Sequence, residues 1–500
     1  MTDRPGPARA PGEPSGAGGA GGASGALAGA PPDEDRRAAR ERILAAAAAG
    51  GCRFVDLQFT DVTGALKSVV LPATQLRETL DYGHWFDGSA LEGAARLMET
   101  DLLLRPDLGT WALLPWAGPG GEQTARLLCD VQTPEGGPFP ADPRAVLARA
   151  VESAREAGFA YLVGAEVEFF LFRQPRGPAA ATVSPLQGGP ADHGGYFDLA
   201  TAHGDLVREE MVQALGRLGV PVEASHHEIG PGQHEIDLPL RPALAAADAI
   251  MTCKYVVKTV ARRRGLLATF MPKPLADAAG SGLHLLQALL DGAGRDAFAE
   301  PADERGLSSA ARAFIAGQLA HARAMCAVLA PAVNSYKRLG RGFDAPAYLT
   351  WGHTNPLAVV RVPRARALPR PGRPGAAARA PSRPPAVSGI ELRCADPSCN
   401  PYLALAVALA AGLDGIRAGM APPAPVEARA PDAAAHDERQ VAMLPASLGE
   451  AIQELEWDPV VRDALGAPVF ERLLLAKERE WQEYRRQVSA WEVERYFEAS

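Results

Sequence analysis

Glu166 and Glu168 stand two residues apart in Tyr161-Leu162-Val163-Gly164-Ala165-Glu166-Val167-Glu168-Phe169-Phe170-Leu171-Phe172, an apolar and aromatic run of strand character. Side chains alternate along a strand, so both carboxylates project from one face amid apolar neighbours. Held there, they repel each other unless a cation joins them. Glu228 and Glu235 flank Gly230-Pro231-Gly232, a turn that folds one strand back on the next and brings a second pair of carboxylates together. His284, in Gly280-Ser281-Gly282-Leu283-His284, adds a nitrogen, and Glu391, in Ile390-Glu391-Leu392-Arg393, a further carboxylate. Six such ligands suffice for two metals with three protein ligands each, and an oxygen-rich set suits Mg²⁺ or Mn²⁺ rather than zinc. The alternative is a group of structural carboxylates neutralised by ion pairs.

Arginines form a second constellation. Arg338 in Asn334-Ser335-Tyr336-Lys337-Arg338-Leu339, Arg361 in Val360-Arg361-Val362-Pro363, and Arg393 lie on or beside the same segments. Planar, forked donors suit carboxylates and phosphates, and Mg²⁺ beside arginines equips a site for phosphoryl transfer. Ion pairing with the nearby glutamates is the plainer alternative.

The elements that must position these residues follow from composition and period. Residues 1–35 are rich in Gly, Ala, Pro and Ser with few large apolar side chains, and read as a disordered tail. A helix is expected over Asp33–Ala49, then a strand pair over Phe54–Val70 around Asp61-Val62-Thr63-Gly64, and short strands near Thr110–Trp116 and Arg126–Val131. This gives a small, mostly β domain over 36–140. Residues 141–500 form a larger domain with helices over Arg144–Ala157, Gly204–Leu218, Ala245–Arg264 and Leu307–Leu329, the metal-ligand strands between them, and an amphipathic helical end from Leu448. Strands able to pair antiparallel, with helices on one side, indicate an α+β fold. Residues 364–388, rich in Arg, Pro, Ala and Gly, read as a basic mobile insertion.

The whole chain bounds the function further. With 500 residues, 47% hydrophobic and 22% charged, it has the composition of a globular enzyme, and a net charge of -8 argues against a general nucleic-acid binder. None of the six cysteines falls in a Cys-x-x-Cys pair, which fits free thiols in a reducing cytoplasm. No basic, apolar leader opens the sequence, and the most apolar stretch, Tyr402–Leu413, is shorter than the ~20 residues of a membrane span. It reads as a buried helix.

Eight motifs in order are similar to those of the bacterial type I glutamine synthetases. They are Phe86-Asp87-Gly88-Ser89, Gly164-Ala165-Glu166-Val167-Glu168-Phe169-Phe170, His226-His227-Glu228, Gly232-Gln233-His234-Glu235, Thr269-Phe270-Met271-Pro272-Lys273-Pro274, Gly280-Ser281-Gly282-Leu283-His284, Asn334-Ser335-Tyr336-Lys337-Arg338-Leu339 and Asn400-Pro401-Tyr402-Leu403-Ala404-Leu405. The resemblance runs from about Arg53 to Tyr496. It implies a β-grasp N-terminal domain, a catalytic domain, and a dodecamer of two stacked hexamers with active sites between subunits. It also implies a reaction in which ATP phosphorylates the γ-carboxylate of L-glutamate and ammonia attacks the γ-glutamyl phosphate.

Carried over by position, the resemblance gives Glu168, Glu228 and Glu235 to one metal and Glu166, His284 and Glu391 to the other. Asp87 of a neighbouring subunit would bind and help deprotonate ammonium, with Tyr196 and Glu228 lining that pocket. Arg338, Arg393 and Gly280 would hold glutamate, Arg361 would face the nucleotide phosphates, and Asp344 would close over the intermediate.

Departures from the family cluster around ATP and ammonium. Leu286 and Ala288 stand where polar residues face the nucleotide, and Ala279 where there is an asparagine. Ala90 replaces a serine of the ammonium pocket, and Asp344 a glutamate one methylene longer. Pro356 and Gly389 fall where arginines contact phosphate, with Arg383 a candidate substitute for the second. The adenylylated tyrosine motif of one branch is missing. Three readings follow: a glutamine synthetase with altered nucleotide contacts, a γ-glutamyl ligase that takes an organic amine or polyamine, or a catalytically impaired, ring-forming paralogue.

Overall fold

Two sheets carry the residues just named. The computed structural model describes residues 33–88, 101–118, 120–175, 188–198, 203–340, 345–363, 388–427 and 442–498. The tail to residue 32, Ala90, Asp344, Arg383 and the insertion up to residue 387 lie outside the described residues.

The first sheet comprises β1 (Cys52–Thr60), β2 (Leu66–Pro72), β3 (His84–Asp87), β4 (Asp101–Pro106), β5 (Ala112–Leu113) and β6 (Gln123–Gln132). Their order is β2-β1-β6-β4-β3, with β5 also against β6. β1 and β2 pair antiparallel around the Asp61–Gly64 turn as expected, but β1 runs parallel to β6. Apolar side chains of the two strands, Leu57 and Leu127, meet Leu104 and Ile43 of the Asp33–Ala49 helix in one cluster. Sequence periodicity misses β3 and β4. His84-Trp85-Phe86-Asp87 is too short to establish an alternation, and β4 is defined by its partners rather than its own pattern.

The second sheet comprises β7 (Phe159–Arg173), β8 (Ala224–His227), β9 (Gln233–Pro242), β10 (Leu266–Thr269), β11 (Leu283–Asp291), β12 (Tyr348–Gly352), β13 (Ala358–Arg361) and β14 (Ile390–Leu392). The order is β12-β13-β14-β11-β7-β9-β8, with β10 also on β7. All described pairs are antiparallel except β12 with β13, which is parallel. β7 is the spine, and its register places Glu166 opposite His284 of β11 and Glu168 opposite Glu235 of β9.

Helices Pro143–Glu156, Ala243–Arg263, Ser309–Leu329 and Pro401–Ala418 pack with this sheet in one core. The last two cross closely because small residues face each other. A Cβ on Gly317 would fall 2.1 Å from the Ala411 carbonyl oxygen, and one on Gly415 would fall 2.0 Å from that of Ala313. Asn400 caps Pro401–Ala418 by accepting from the Tyr402 N–H, Pro401 starts it, and Gly419 ends it in the left-handed region at φ 62°. The helix has the length and composition of a membrane span, yet 72% of its apolar window is buried in the protein, as the sequence predicts.

The two sheets are tied together at Arg144. Its guanidinium pairs with Asp107 at 2.6 Å, with Asp130 of β6, and with Asp248 of the Ala243–Arg263 helix at 3.1 Å. Tyr402 also donates to Asp248, at 2.7 Å. Arg126 of β6 reaches Thr252 at 2.9 Å, and Asn400 donates to the Asp61 carbonyl at 3.0 Å. Truncating the buried member of such a group leaves three carboxylates without their shared cation. Arg144→Met is expected to lower unfolding free energy by about 3–5 kcal/mol in a urea titration. A loss below about 1 kcal/mol, the range of a surface pair, would show that Arg144 does not hold the junction.

Candidate active site

Strand register, rather than proximity in sequence, assembles the metal-ligand residues. Glu166 and Glu168 leave one face of β7 while Val167, Phe169 and Leu171 are fully buried behind it. His284 Nδ1 lies 2.9 Å from Glu166 Oε2 and 3.7 Å from Glu391 Oε1, and ligand atoms of these three residues fall within 4.8 Å of one another. Arg361, paired in register with Glu391, donates to its Oε2 at 2.9 Å, and Arg393 Nε lies 3.1 Å from its Oε1.

A second trio lies at the far edge of the sheet. Glu228, just past β8, and Glu235 of β9 share His226, whose Nε2 is 3.1 Å from Glu235 Oε1 and whose Nδ1 is 3.6 Å from Glu228 Oε1. Glu168 stands between the trios. Its Oε2 accepts from Gln233 Nε2 at 2.9 Å and its Oε1 is 4.0 Å from His284 Nε2. The trio the side chains form is therefore His226, Glu228 and Glu235, with Glu168 beside it, where the family resemblance implies Glu168, Glu228 and Glu235.

Electrostatics set the two trios apart. Burial works against ionising Glu166, but its bond to His284 and the charges of Arg361 and Arg393 outweigh that and hold its carboxyl below the usual range. Burial and the neighbouring Glu168 push the Glu228 carboxyl up to about 7. Burial, Glu168 and Glu166 raise that of Glu235 as well. Carboxylates crowded into a dry site in this way are suited to a hard divalent cation, which relieves the repulsion that protons otherwise relieve.

The other predicted residues divide between this site and the first sheet. Arg338 is buried and spends its fork on carbonyls, Nη1 to Ala395 and Nη2 to Arg393, both at 3.1 Å. Gly280 accepts from Gln233 at 3.1 Å, and a Cβ there would strike the Pro272 carbonyl oxygen at 2.4 Å. Tyr196 is 52% exposed, its ring 5.6 Å from that of His226. Asp87 sits at the exposed end of β3, the edge strand of the first sheet.

Sequence reasoning missed His226 and Gln233. The first was legible in principle, because in His226-His227-Glu228 it shares Glu228's parity. Gln233 carried no signal of its own.

Family models match almost the whole described chain: "Glutamine synthetase, beta-Grasp domain" over residues 51–134 and "Glutamine synthetase, catalytic domain" over 140–496. The chain belongs to the glutamine synthetase family. It is 44% identical over 460 residues to the glutamine synthetase of Clostridium saccharobutylicum, covering 91% of this chain and 98% of that one. It is likewise 44% identical over 465 residues to that of Thermus thermophilus, with the same coverage. A solved structure described as "GmaS/ADP complex-Conformation 1" superposes with a TM-score of 0.76 at 31% identity, covering 91% of this chain and 99% of that one. The fold is α+β, a β-grasp domain followed by the glutamine synthetase catalytic domain.

Two positions singled out in the sequence, Leu286 and Gly389, are physically coupled. A Cβ on Gly389 would lie 2.5 Å from Cδ1 of Leu286, so the leucine fills the space into which a side chain at 389 would grow. The carbonyl of Pro356 accepts from Arg393 Nη1.

The raised Glu228 carboxyl sets a pH dependence. Below about 7 Glu228 is neutral, so divalent-metal affinity, read by calorimetry with Mg²⁺ or Mn²⁺, should weaken as pH falls from about 8 to 6. In the metal-free protein the native state holds this proton more tightly than the unfolded chain does. Its Tm should therefore fall as pH rises from 4.5 through about 7, and added metal should reverse the fall. Affinity flat across that range would remove Glu228 from the ligand set.

Proposed function

We propose that the protein is a glutamate–ammonia ligase. A γ-carboxylate oxygen of L-glutamate attacks the γ-phosphorus of ATP and ADP leaves; ammonia then attacks the γ-carbonyl carbon and phosphate leaves, giving glutamine. The observation that carries this is 44% identity to glutamine synthetases over nearly their whole length.

The family uses ATP and divalent metals, and the site suits two ions of Mg²⁺ or Mn²⁺. Glu166, His284 and Glu391 would hold one, and Glu228 and Glu235 with Glu168 or His226 the other. When bound, these ions neutralise charge on the transferring phosphoryl group. Arg361, 44% exposed and anchored on Glu391, is free to face phosphate oxygens on its outer edge. Arg338, Arg393 and Gly280 would hold glutamate against β11. Glu228 and the Asp87 of a neighbouring subunit would take the proton that ammonium sheds, beneath Tyr196, with Asp344 closing the site.

One observation favours a second acceptor. Tyr196 and Phe197, 52% and 62% exposed, present aromatic faces beside the acidic trio, a surface that suits an alkylammonium ion. Phosphate release from ATP and glutamate with Mg²⁺ or Mn²⁺ is expected with ammonium; larger turnover with methylamine or a polyamine would move the assignment to the γ-glutamyl-amine ligase. Glu228→Ala should lower kcat with any acceptor by a factor on the order of 10³. Near-normal activity in that variant would refute the metal assignment, and no turnover of the parent with any acceptor would leave an impaired paralogue.

A homo-oligomer, probed as a dodecamer, is supported by the C-terminal end. Helix Ala490–Tyr496 buries none of its residues, and Val488, Trp491 and Phe497 are 75%, 60% and 83% exposed. Apolar surface of this kind marks a protein interface. Light scattering on a variant ending at residue 487 should show a smaller assembly than the full chain; an unchanged mass would dismiss this segment from assembly. We place the enzyme in the cytoplasm, with small molecules as its ligands and neither nucleic acid nor membrane as a partner.

A further inference from the structure

Behind the acidic trio lies a third set of titratable side chains that the reaction above does not use. Asp192, His227 and His234 are 5%, 1% and 0% exposed, with polar atoms within 4.8 Å of one another. Their types suggest a zinc site, but the hydrogen bonds assign them another role. His234 Nδ1 faces Arg208 Nη1 at 2.7 Å, and a guanidinium only donates. Nδ1 therefore accepts, and the ring proton sits on Nε2, which lies 3.3 Å from Asp192 Oδ2 without the alignment of a hydrogen bond. His227 Nδ1 donates to the Glu228 carbonyl at 2.6 Å, and its Nε2 meets Asp192 Oδ1 at 2.6 Å. With an oxygen acceptor at each of its nitrogens, the His227 ring is held as the imidazolium, so both rings turn N–H groups, not lone pairs, toward Asp192.

That carboxylate also accepts from two backbone amides, Gly232 at 3.2 Å and Gly194 at 3.4 Å. Gly232 belongs to the turn between β8 and β9; Gly194 opens the segment that carries Tyr196 and Phe197. Asp192 is therefore the point at which the aromatic segment is fastened to the hairpin bearing Glu228 and Glu235. The fit is close. A Cβ on Gly194 would lie 3.0 Å from the His227 ring, and one on Gly204 would lie 2.3 Å from Asp192 Oδ2.

The fastening holds a strained turn. Phe197, at φ 59°, is the only non-glycine residue with positive φ among the described residues, a conformation that costs roughly 1–2 kcal/mol. Gly195 donates to Asp198 at 2.8 Å and Phe197 to the His227 carbonyl at 3.2 Å, while the Phe197 ring lies 4.7 Å from that of His226. A bulky residue stays in this region at the rim of a site only where its surroundings fix it.

We propose that Asp192 is a positioning residue for the acceptor amine, locking the Tyr196–Phe197 turn over Glu228 and Glu235. The proposal rests on the ligase reading and adds to it a residue that touches no substrate. Asp192→Asn keeps the shape but sets an amide donor against ring N–H groups. In the full-length enzyme, KM for ammonium should rise on the order of 10-fold, with KM for glutamate and ATP within about twofold. A role confined to packing would instead lower Tm without separating the KM values.

Gly194→Ala, which presses a methyl group on the His227 ring, should give the same acceptor-selective rise and decides the matter if Asp192→Asn does not fold. Hydrogen exchange on the metal-free protein reads the turn without turnover, and amides 194–198 should exchange faster in both variants. An unchanged ammonium KM in the folded variants, or unchanged exchange, overturns the proposal. A parent enzyme without ammonium-dependent turnover overturns the ligase reading instead, and the exchange result then decides for or against the lock.

Discussion

Like charges forced onto one face of a sheet are the constraint around which the catalytic domain is organised. Glu166, Glu168, Glu235 and Glu391 come from three strands whose ladder fixes their separation, and Glu228 joins them from the turn after β8. The strands cannot splay to relieve the repulsion. Val167, Phe169 and Leu171 anchor β7 from behind, each large buried apolar side chain contributing about 1.5–3 kcal/mol. The tension is resolved locally instead, by His284, Arg361 and Arg393 on one trio and by raised carboxyl pKa values on the other. One end of the site is thus already neutralised by protein cations, and the other by retained protons.

The same economy of partners runs outward. Gln233 orients Glu168 and at the same time bonds the Gly280 carbonyl, so a carboxylate of β7 and the loop before β11 share one amide. Arg144 joins three carboxylates drawn from both domains, which fixes the β-grasp domain on the catalytic domain. Asp87 at the edge of that domain is therefore carried on a rigid support.

Much of this was legible in the sequence, and the parts that were not share a physical reason. Alternation within a single strand revealed that Glu166 and Glu168 share a face, and Gly230-Pro231-Gly232 announced the hairpin. The long helices were legible from period and caps to within a few residues, whereas the short ones at Leu76–Tyr82 and Ser335–Arg338 were not. Register between strands distant in sequence left no local trace, so the pairing of β7 with β11 and the parallel β1–β6 pair emerged only from the fold. The β3 and β4 strands were lost because short segments carry no period. Gln233 and Asp192 were passed over because an amide and a lone carboxylate acquire meaning only from what the fold sets beside them. His226 was within reach of the same parity argument that identified Glu166.

The contact between Leu286 and the bare backbone of Gly389 ties together two positions about a hundred residues apart in the chain. A Cβ at 389 would meet Cδ1 of Leu286 at 2.5 Å and its Cγ at 3.0 Å, so a side chain there enters only if the leucine turns aside. Positions 286 and 389 are therefore not independent variables: a substitution at one has to be read with its partner, as a contacting pair rather than as two separate changes.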